Sequence, residues 1–220
     1  MARRRYGKGT TFGSYHSSKQ LRLIQQLVEI GPAPPDLNLV KVPGMNGYVD
    51  LTEANGRITY GERPIKWTFA LYPGDNWPTR HAAVSNLLNG KRMTATLDDD
   101  KQWYYEGRLE VSDLKTDRLL RQITVTMHAM PHKRRHTETS LTVAISARPV
   151  NVGLAIGEMP TVPVITSNRP FTVAWGDVTE ERAAGTHTIP KLYMSGDQEI
   201  TITSAGADGT ARITWREGSL

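Results

Sequence analysis

The sequence predicts a mainly β protein, in which a β-rich first domain covered by one helix is followed by a small antiparallel β-sandwich. Three observations carry this. Apolar and polar residues alternate with period two in several stretches, most cleanly from Lys66 to Tyr72, where Trp67, Phe69 and Leu71 fall on one face and Lys66, Thr68 and Ala70 on the other. The 19 glycines and 13 prolines are spread along the whole chain, as turns between short strands require. Helical spacing is clear in one place, between Trp77 and Gly90.

Charge divides the chain. Residues 1 to 137 carry 21 Lys or Arg against 13 Asp or Glu, and residues 138 to 220 carry 6 against 9, so the net +5 is +8 in the first part and −3 in the second. A boundary near Lys133-Arg134-Arg135 fits this shift. The expected organisation is a flexible basic arm over residues 1–20, a first domain over 21–136 and the sandwich over 137–220. Five bases (Arg3, Arg4, Arg5, Lys8, Lys19) and no acid stand in the arm. There is no cysteine, so neither a disulfide framework nor a thiolate metal site is available. No apolar run approaches the roughly 20 residues of a membrane span, and Met1 to Gly9 lacks the apolar core of a signal peptide. The expectation is a protein made and kept soluble, without signal-peptide export and without a membrane partner.

In chain order, Leu37 to Val42 and Tyr48 to Leu51 read as two strands around Asn46-Gly47, a pair suited to a tight type I′ turn. The Lys66–Tyr72 strand follows. The helix takes Thr79 as its candidate N-cap, Val84, Leu87 and Leu88 as its apolar stripe and Gly90 as its stop. Met93, Ala95 and Leu97 lead into Asp98-Asp99-Asp100 and on through Trp103 to Val111, a hairpin with an acidic, solvated tip. Ile123, Val125, Met127 and Ala129 form the next strand, ended by Pro131. Beyond the boundary, strands are expected at Leu141–Ile145, Val162–Ile165, Phe171–Trp175, His187–Tyr193, Glu199–Thr203 and Ala211–Trp215, the spacing of a small sandwich.

The residues offer little chemistry. His128, His132 and His136 recur every four positions, but Pro131 and the preceding strand deny them a helix, and the adjacent Lys133-Arg134-Arg135 repels a dication. The three aspartates lack the EF-hand spacing. Gly90-Lys91 follows a helix, so its amides cannot cradle a phosphate as a P-loop does. No nucleophile elbow, zinc-protease helix or paired carboxylates appear. The expectation is a protein that is not an enzyme, with no cofactor and no metal. Five tryptophans (Trp67, Trp77, Trp103, Trp175, Trp215) admit a carbohydrate-binding module, yet Trp67, Trp175 and Trp215 stand in alternating strands and read first as core.

Six ordered segments carry a resemblance: Phe12 to Ser18, Val42-Pro43-Gly44-Met45-Asn46-Gly47-Tyr48-Val49-Asp50-Leu51-Thr52-Glu53, Tyr60 to Ile65, Leu87 to Lys91, Leu97 to Asp100, and Tyr104 to Leu109, with a last strand ending at Met130-Pro131. Together they resemble the amino-terminal domain of siphophage distal tail proteins, over roughly residues 12 to 133. The closing run, Ala211 to Leu220, looks like the last strand of the small sandwich in many of these proteins. The positions that match the family pattern are Pro43, Gly44, Gly47, Asp50, Arg63, Gly90, Gly107, Arg108 and Pro131, expected to serve structure and assembly.

The resemblance implies a hexameric ring, self-assembled at the end of a tail tube, that joins the tube to the tail-tip hub and often to a receptor-binding protein. DNA would be passing cargo, and the site of action the virion tail tip. The chain departs from larger relatives in its basic start and in a second domain with room only for a bare sandwich. Other expectations from the residues are a module binding host-wall or capsule glycans, and, within the tail, a tube subunit.

Overall fold

A computed structural model describes residues 8–54, 56–112 and 122–220. The arginines at positions 3 to 5 lie outside the described residues. The chain divides into two units, Met1–Lys133 and Arg134–Leu220, each with its own hydrophobic core. The molecule is mainly β with one α-helix. Among the described residues no helix is long and apolar enough to cross a membrane.

The first unit holds β1 (Thr10–Phe12), β2 (Tyr15–His16), β3 (Leu23–Ile30), β4 (Leu39–Val40), β5 (Val49–Asp50), β6 (Arg63–Leu71), α1 (Trp77–Leu88), β7 (Arg92–Leu97), β8 (Trp103–Val111) and β9 (Gln122–Ala129). A short strand, β10 (Lys133–Arg135), follows. The main sheet runs in the order β2-β1-β7-β8-β9-β6-β3, antiparallel throughout. Alternation sets its register: Trp67 pairs with Val125 and Ile65 with Met127, so odd-numbered side chains of β6 and β9 share the buried face. Trp77, Val84 and Leu88 of α1 complete that core. The opposite face is mostly polar on β6 and β9 and carries Ile24 and Leu27 on β3.

Residues 10–20 are a correction to the expected arm. β1 pairs with β7, Phe12 opposite Ala95, and Phe12 is fully buried, meeting Trp67 edge-to-face at 5.0 Å between ring centroids. The segment looked like an arm because its buried side chains are mostly polar. Thr10, His16, Ser17 and Ser18 are all buried, and local hydrogen bonds satisfy them: Thr10 N donates to Ser17 Oγ at 3.0 Å and Thr10 Oγ1 to Gln25 Oε1 at 2.7 Å.

Two local expectations are also corrected. The helix cap is Asn76, whose Oδ1 accepts from Thr79 N at 3.1 Å, with proline in the first turn. Asn89 caps the other end, and Gly90 follows at φ 73°. The acidic tip is not simply solvated. Asp98 accepts from Gly9 N at 2.9 Å and bonds His16 Nε2 at 3.1 Å, Asp99 meets Lys8, and Asp100 meets Lys133 at 3.0 Å.

The second unit is an antiparallel β-sandwich. Its strands are β11 (Thr139–Ile145), β12 (Val150–Ala155), β13 (Val164–Ser167), β14 (Phe171–Trp175), β15 (Val178–Arg182), β16 (Gly185–Thr188), β17 (Asp197–Ser204), β18 (Gly209–Trp215) and β19 (Gly218–Ser219). One sheet has the order β11-β18-β13-β16 and the other β12-β17-β14-β15. Ile145, Ile165, Ile213 and Trp215 from the first face Leu154, Phe171, Val173 and Ile202 from the second across one core. The expected strand over His187–Tyr193 stops at Thr188, because Pro190 cannot donate to a ladder. Glu217 ties the end of the unit to its start, accepting from Thr139 Oγ1 at 2.6 Å and Arg135 Nη1 at 2.8 Å.

Candidate assembly surface

Between β3 and β6 the chain leaves the sheet as a long two-stranded arm. Its two sides are held by Gly31 N to Pro64 O, Gly61 N to Pro34 O, Asp36 N to Thr59 O and Leu51 N to Asn38 O, all 2.8–2.9 Å. Beyond these, β4 pairs with β5 in the register Leu39 to Asp50 and Val40 to Val49. The tip is therefore a loop from Lys41 to Tyr48, not a two-residue turn. Met45 N donates to Val42 O at 3.1 Å, and Gly44 has φ 82°. That is a type II turn with Pro43 at its first central position and Gly44 at its second. Asn46-Gly47 supplies a separate bend, Gly47 at φ 89°. Two glycine turn signals stand close together, and the Pro-Gly pair sets the turn.

The arm is apolar on its outside. All but three of the exposed large hydrophobic side chains among the described residues lie between Ile24 and Ile58; the exceptions are Met130, Tyr193 and Leu220. Leu37 is 62% exposed and Tyr48 56%. Monomeric proteins seldom leave such a stretch bare, and a contiguous patch of this kind marks an interaction site. Beside it, β3 is the outermost strand of the main sheet, with Ile24, Leu27 and Ile30 exposed. Among the described residues one edge of this eight-residue strand has no partner, which makes it a template for another strand. The register shift between Gln25 and Leu27 breaks strict alternation there, which hid this strand from sequence reading.

The family-pattern positions fall into two groups. Pro43, Gly44, Gly47 and Asp50 shape the arm. Asp50 accepts from Thr52 N at 2.9 Å, and these Thr52 hydrogen bonds hold its carboxyl below the ordinary range. Arg63, Gly90, Gly107 and Arg108 belong to the body, and Pro131 follows β9. Arg108 Nη1 donates to Gly90 O at 2.6 Å, placing a cation on the carbonyl end of α1. Gly107 pairs with Ala129, and a Cβ at Gly107 would collide with the backbone of His128 and Ala129. Arg63 is buried on the core face with its guanidinium 5.9 Å from the Tyr105 ring centre.

A chain of groups in the first unit has the composition of a hydrolase relay. Ser18 Oγ lies 3.1 Å from His16 Nδ1, and His16 Nε2 lies 3.1 Å from Asp98 Oδ2. Its geometry serves the fold. Ser18 is 1% exposed, and the same Nδ1 accepts from Ser18 N at 3.2 Å, which fixes the proton on Nε2 facing Asp98. Burial pushes the Asp98 carboxyl up, but hydrogen bonds from His16 and Gly9 and the charges of His16 and Lys101 outweigh it, so Asp98 sits below the ordinary carboxylate range. The relay pins the first strands to the β7–β8 hairpin. Among the described residues no group of three metal-ligating side chains converges; His128 faces Glu62 and Glu110, and the His132 ring lies edge-on to Tyr60.

No family model matches the sequence, and no curated protein matches it. A solved structure does match in three dimensions. The chain shares its fold with SPP1 Dit. That structure, of the gp 19.1 protein, is titled "a Paradigm of Hub Adsorption Apparatus in Gram-positive Infecting Phages"; it aligns with a TM-score of 0.64 at 14% identity, over 97% of this chain and 100% of that one. The likeness extends over both units. Of the tryptophans weighed as a sugar platform, Trp67, Trp77 and Trp215 are buried. Trp175 is half-buried with Nε1 on Gln198 Oε1 at 3.0 Å, and Trp103 lies under Lys133 Nζ at 5.1 Å.

Proposed function

We propose that this chain is a distal tail protein of a long non-contractile phage tail: a scaffold, not an enzyme, that closes into a homohexameric ring at the tail tip. The observation that carries the reading is the bare apolar arm beside the open β3 edge, on a fold shared with a phage hub protein. Each copy offers two complementary features in different places, an arm and a strand edge. Such heterologous contacts close a ring when the rotation between copies closes. In the virion the ring's neighbours are the tail tube protein on one side and the tail-tip hub protein, with any receptor-binding protein, on the other. DNA passes through as cargo. The polar face of the main sheet suits that use, because two of its cations are matched by acids, Lys66 by Glu29 at 3.8 Å and Arg92 by Glu106 at 3.0 Å, and Arg108 is held on the Gly90 carbonyl. The chain's positive excess therefore does not make that face a DNA trap.

The test is the mass of the purified chain by light scattering and negative-stain imaging, for wild type and for the double variant Leu39→Ser, Val49→Ser. Both residues are exposed, so the variant folds and melts as wild type does. Losing two buried aliphatics at about 1.5 kcal/mol each weakens assembly roughly 100-fold. A wild-type chain that stays monomeric at high concentration and is missing from purified virions would sink the reading.

A further inference from the structure

Arg63 is 7% exposed, and its Nε is sealed from solvent with no acceptor. Among the described residues it has no hydrogen-bond or ion-pair partner, unlike Arg22, Arg80, Arg92 and Arg108 of the same unit, each of which holds an oxygen acceptor. Arginine is almost never buried to this degree unless it is paired, because a desolvated charge without a counter-charge is strongly unfavourable. The ring of Tyr105, 5.9 Å from the guanidinium carbon, gives partial compensation.

The sheet is built to hold this side chain. Arg63 stands opposite Ala129 on β9, and Ala129 stands opposite Gly107 on β8. Tyr105 is the next residue along β8 on the same face. To reach Tyr105 the guanidinium crosses β9 and β8 where the two smallest side chains leave the surface low. Among the described residues its Nη atoms have no hydrogen-bond partner either, yet they are not sealed as Nε is, so the forked end of the group keeps an opening to solvent. A planar fork of donors is the residue geometry that receives a carboxylate in two parallel hydrogen bonds.

We infer that Arg63 is an anion socket, left bare in the single chain to receive a carboxylate side chain from a second copy of it. The socket rests on the ring reading for the identity of its occupant. Arg63 is the first residue of β6, where the arm rejoins the sheet, so a copy that covers the apolar arm arrives beside it. The arm itself carries exposed carboxylates, Asp36 and Glu53.

The test compares the full-length wild type with Arg63→Met. Dilute protein is melted in sodium chloride and in sodium acetate at equal ionic strength, and self-association is measured by sedimentation. Methionine keeps the packing and removes the charge, so Arg63→Met melts at or above wild type in chloride. Acetate raises the wild-type melting temperature and leaves the variant unmoved. Self-association of the variant is weaker by about tenfold or more. If Arg63→Met melts several degrees lower, or fails to fold, and acetate moves neither protein, the guanidinium is a structural group stacked on Tyr105 and the socket is refuted. If acetate acts on wild type alone but association is unchanged in the variant, the second copy is refuted as the occupant. If wild type does not associate at all, a second copy is refuted as the occupant in solution, and the acetate comparison alone decides the socket.

Discussion

Replacing Phe12 by Ala separates a folded first strand from a loose basic arm. Phe12 is fully buried, with Trp67 edge-on at 5.0 Å and Phe69 at 6.3 Å. Removing a buried Phe costs about 3–5 kcal/mol from lost transfer energy and the cavity left behind. The two edge-to-face pairs, worth about 0.5–1.5 kcal/mol each, place the expectation in the upper half of that range. With a urea slope of roughly 2 kcal/mol/M, the unfolding midpoint of the first unit falls by about 2 M. Tryptophan fluorescence reports it directly, since Trp67 is in the contact and fully buried. The slope itself stays constant, because the rest of the sheet unfolds as before. A midpoint shift below about 0.25 M, the size expected of a surface substitution, would show that residues 10–20 are an arm and refute the sheet order given above.

Two further predictions follow from the body of the protein. Asp98→Asn removes a charged acceptor from Gly9 N and from His16 Nε2, and lowers stability by about 2 kcal/mol near neutral pH, read by thermal melting. The sign in pH follows from the depressed carboxyl: its folded value lies below the unfolded 3.8, so its contribution is fully present above that value and is lost as pH falls through the folded one, and the gap between wild type and variant closes in acid. Gly107→Ala forces β8 and β9 apart, since the new Cβ meets the His128 carbonyl oxygen. A loss of about 1–3 kcal/mol is expected by urea unfolding, and a neutral result would contradict the Gly107–Ala129 pairing.

What was legible in the sequence was what burial on one face writes into it. β6, β9 and β18 bury every second residue, so Trp67, Val125 and Ile213 announced their strands. β1 and β2 were illegible because Phe12 is their one buried apolar residue, while Thr10 and His16 are satisfied by hydrogen bonds instead of by apolar contact, and polar burial has no periodic signature. β15 was missed for a different reason: as an edge strand reading Val-Thr-Glu-Glu-Arg it has little apolar face to alternate. The sequence-singled Arg63 and Gly107 proved to be parts of one arrangement, which only the register across β6, β9 and β8 could bring together. The arm was read as a hairpin, but not as bare, because apolar residues in a strand pattern are ordinarily buried by the sheet they belong to.

Two unrelated features of the first unit now point the same way. Exposed Leu37, Leu39, Val40 and Val49 are unfavourable in water, and a largely buried guanidinium whose Nε is sealed without an acceptor is unfavourable in the core. A chain selected to stand alone would correct either with one substitution: a polar residue on the arm, or methionine at Arg63. The sequence keeps both, at the tip and at the root of a single element. Assembly relieves them together, since the surface that covers the arm can also present the carboxylate. Stability of the single chain and stability of the ring therefore trade against each other at Arg63, which is why one substitution there is expected to raise the first while lowering the second.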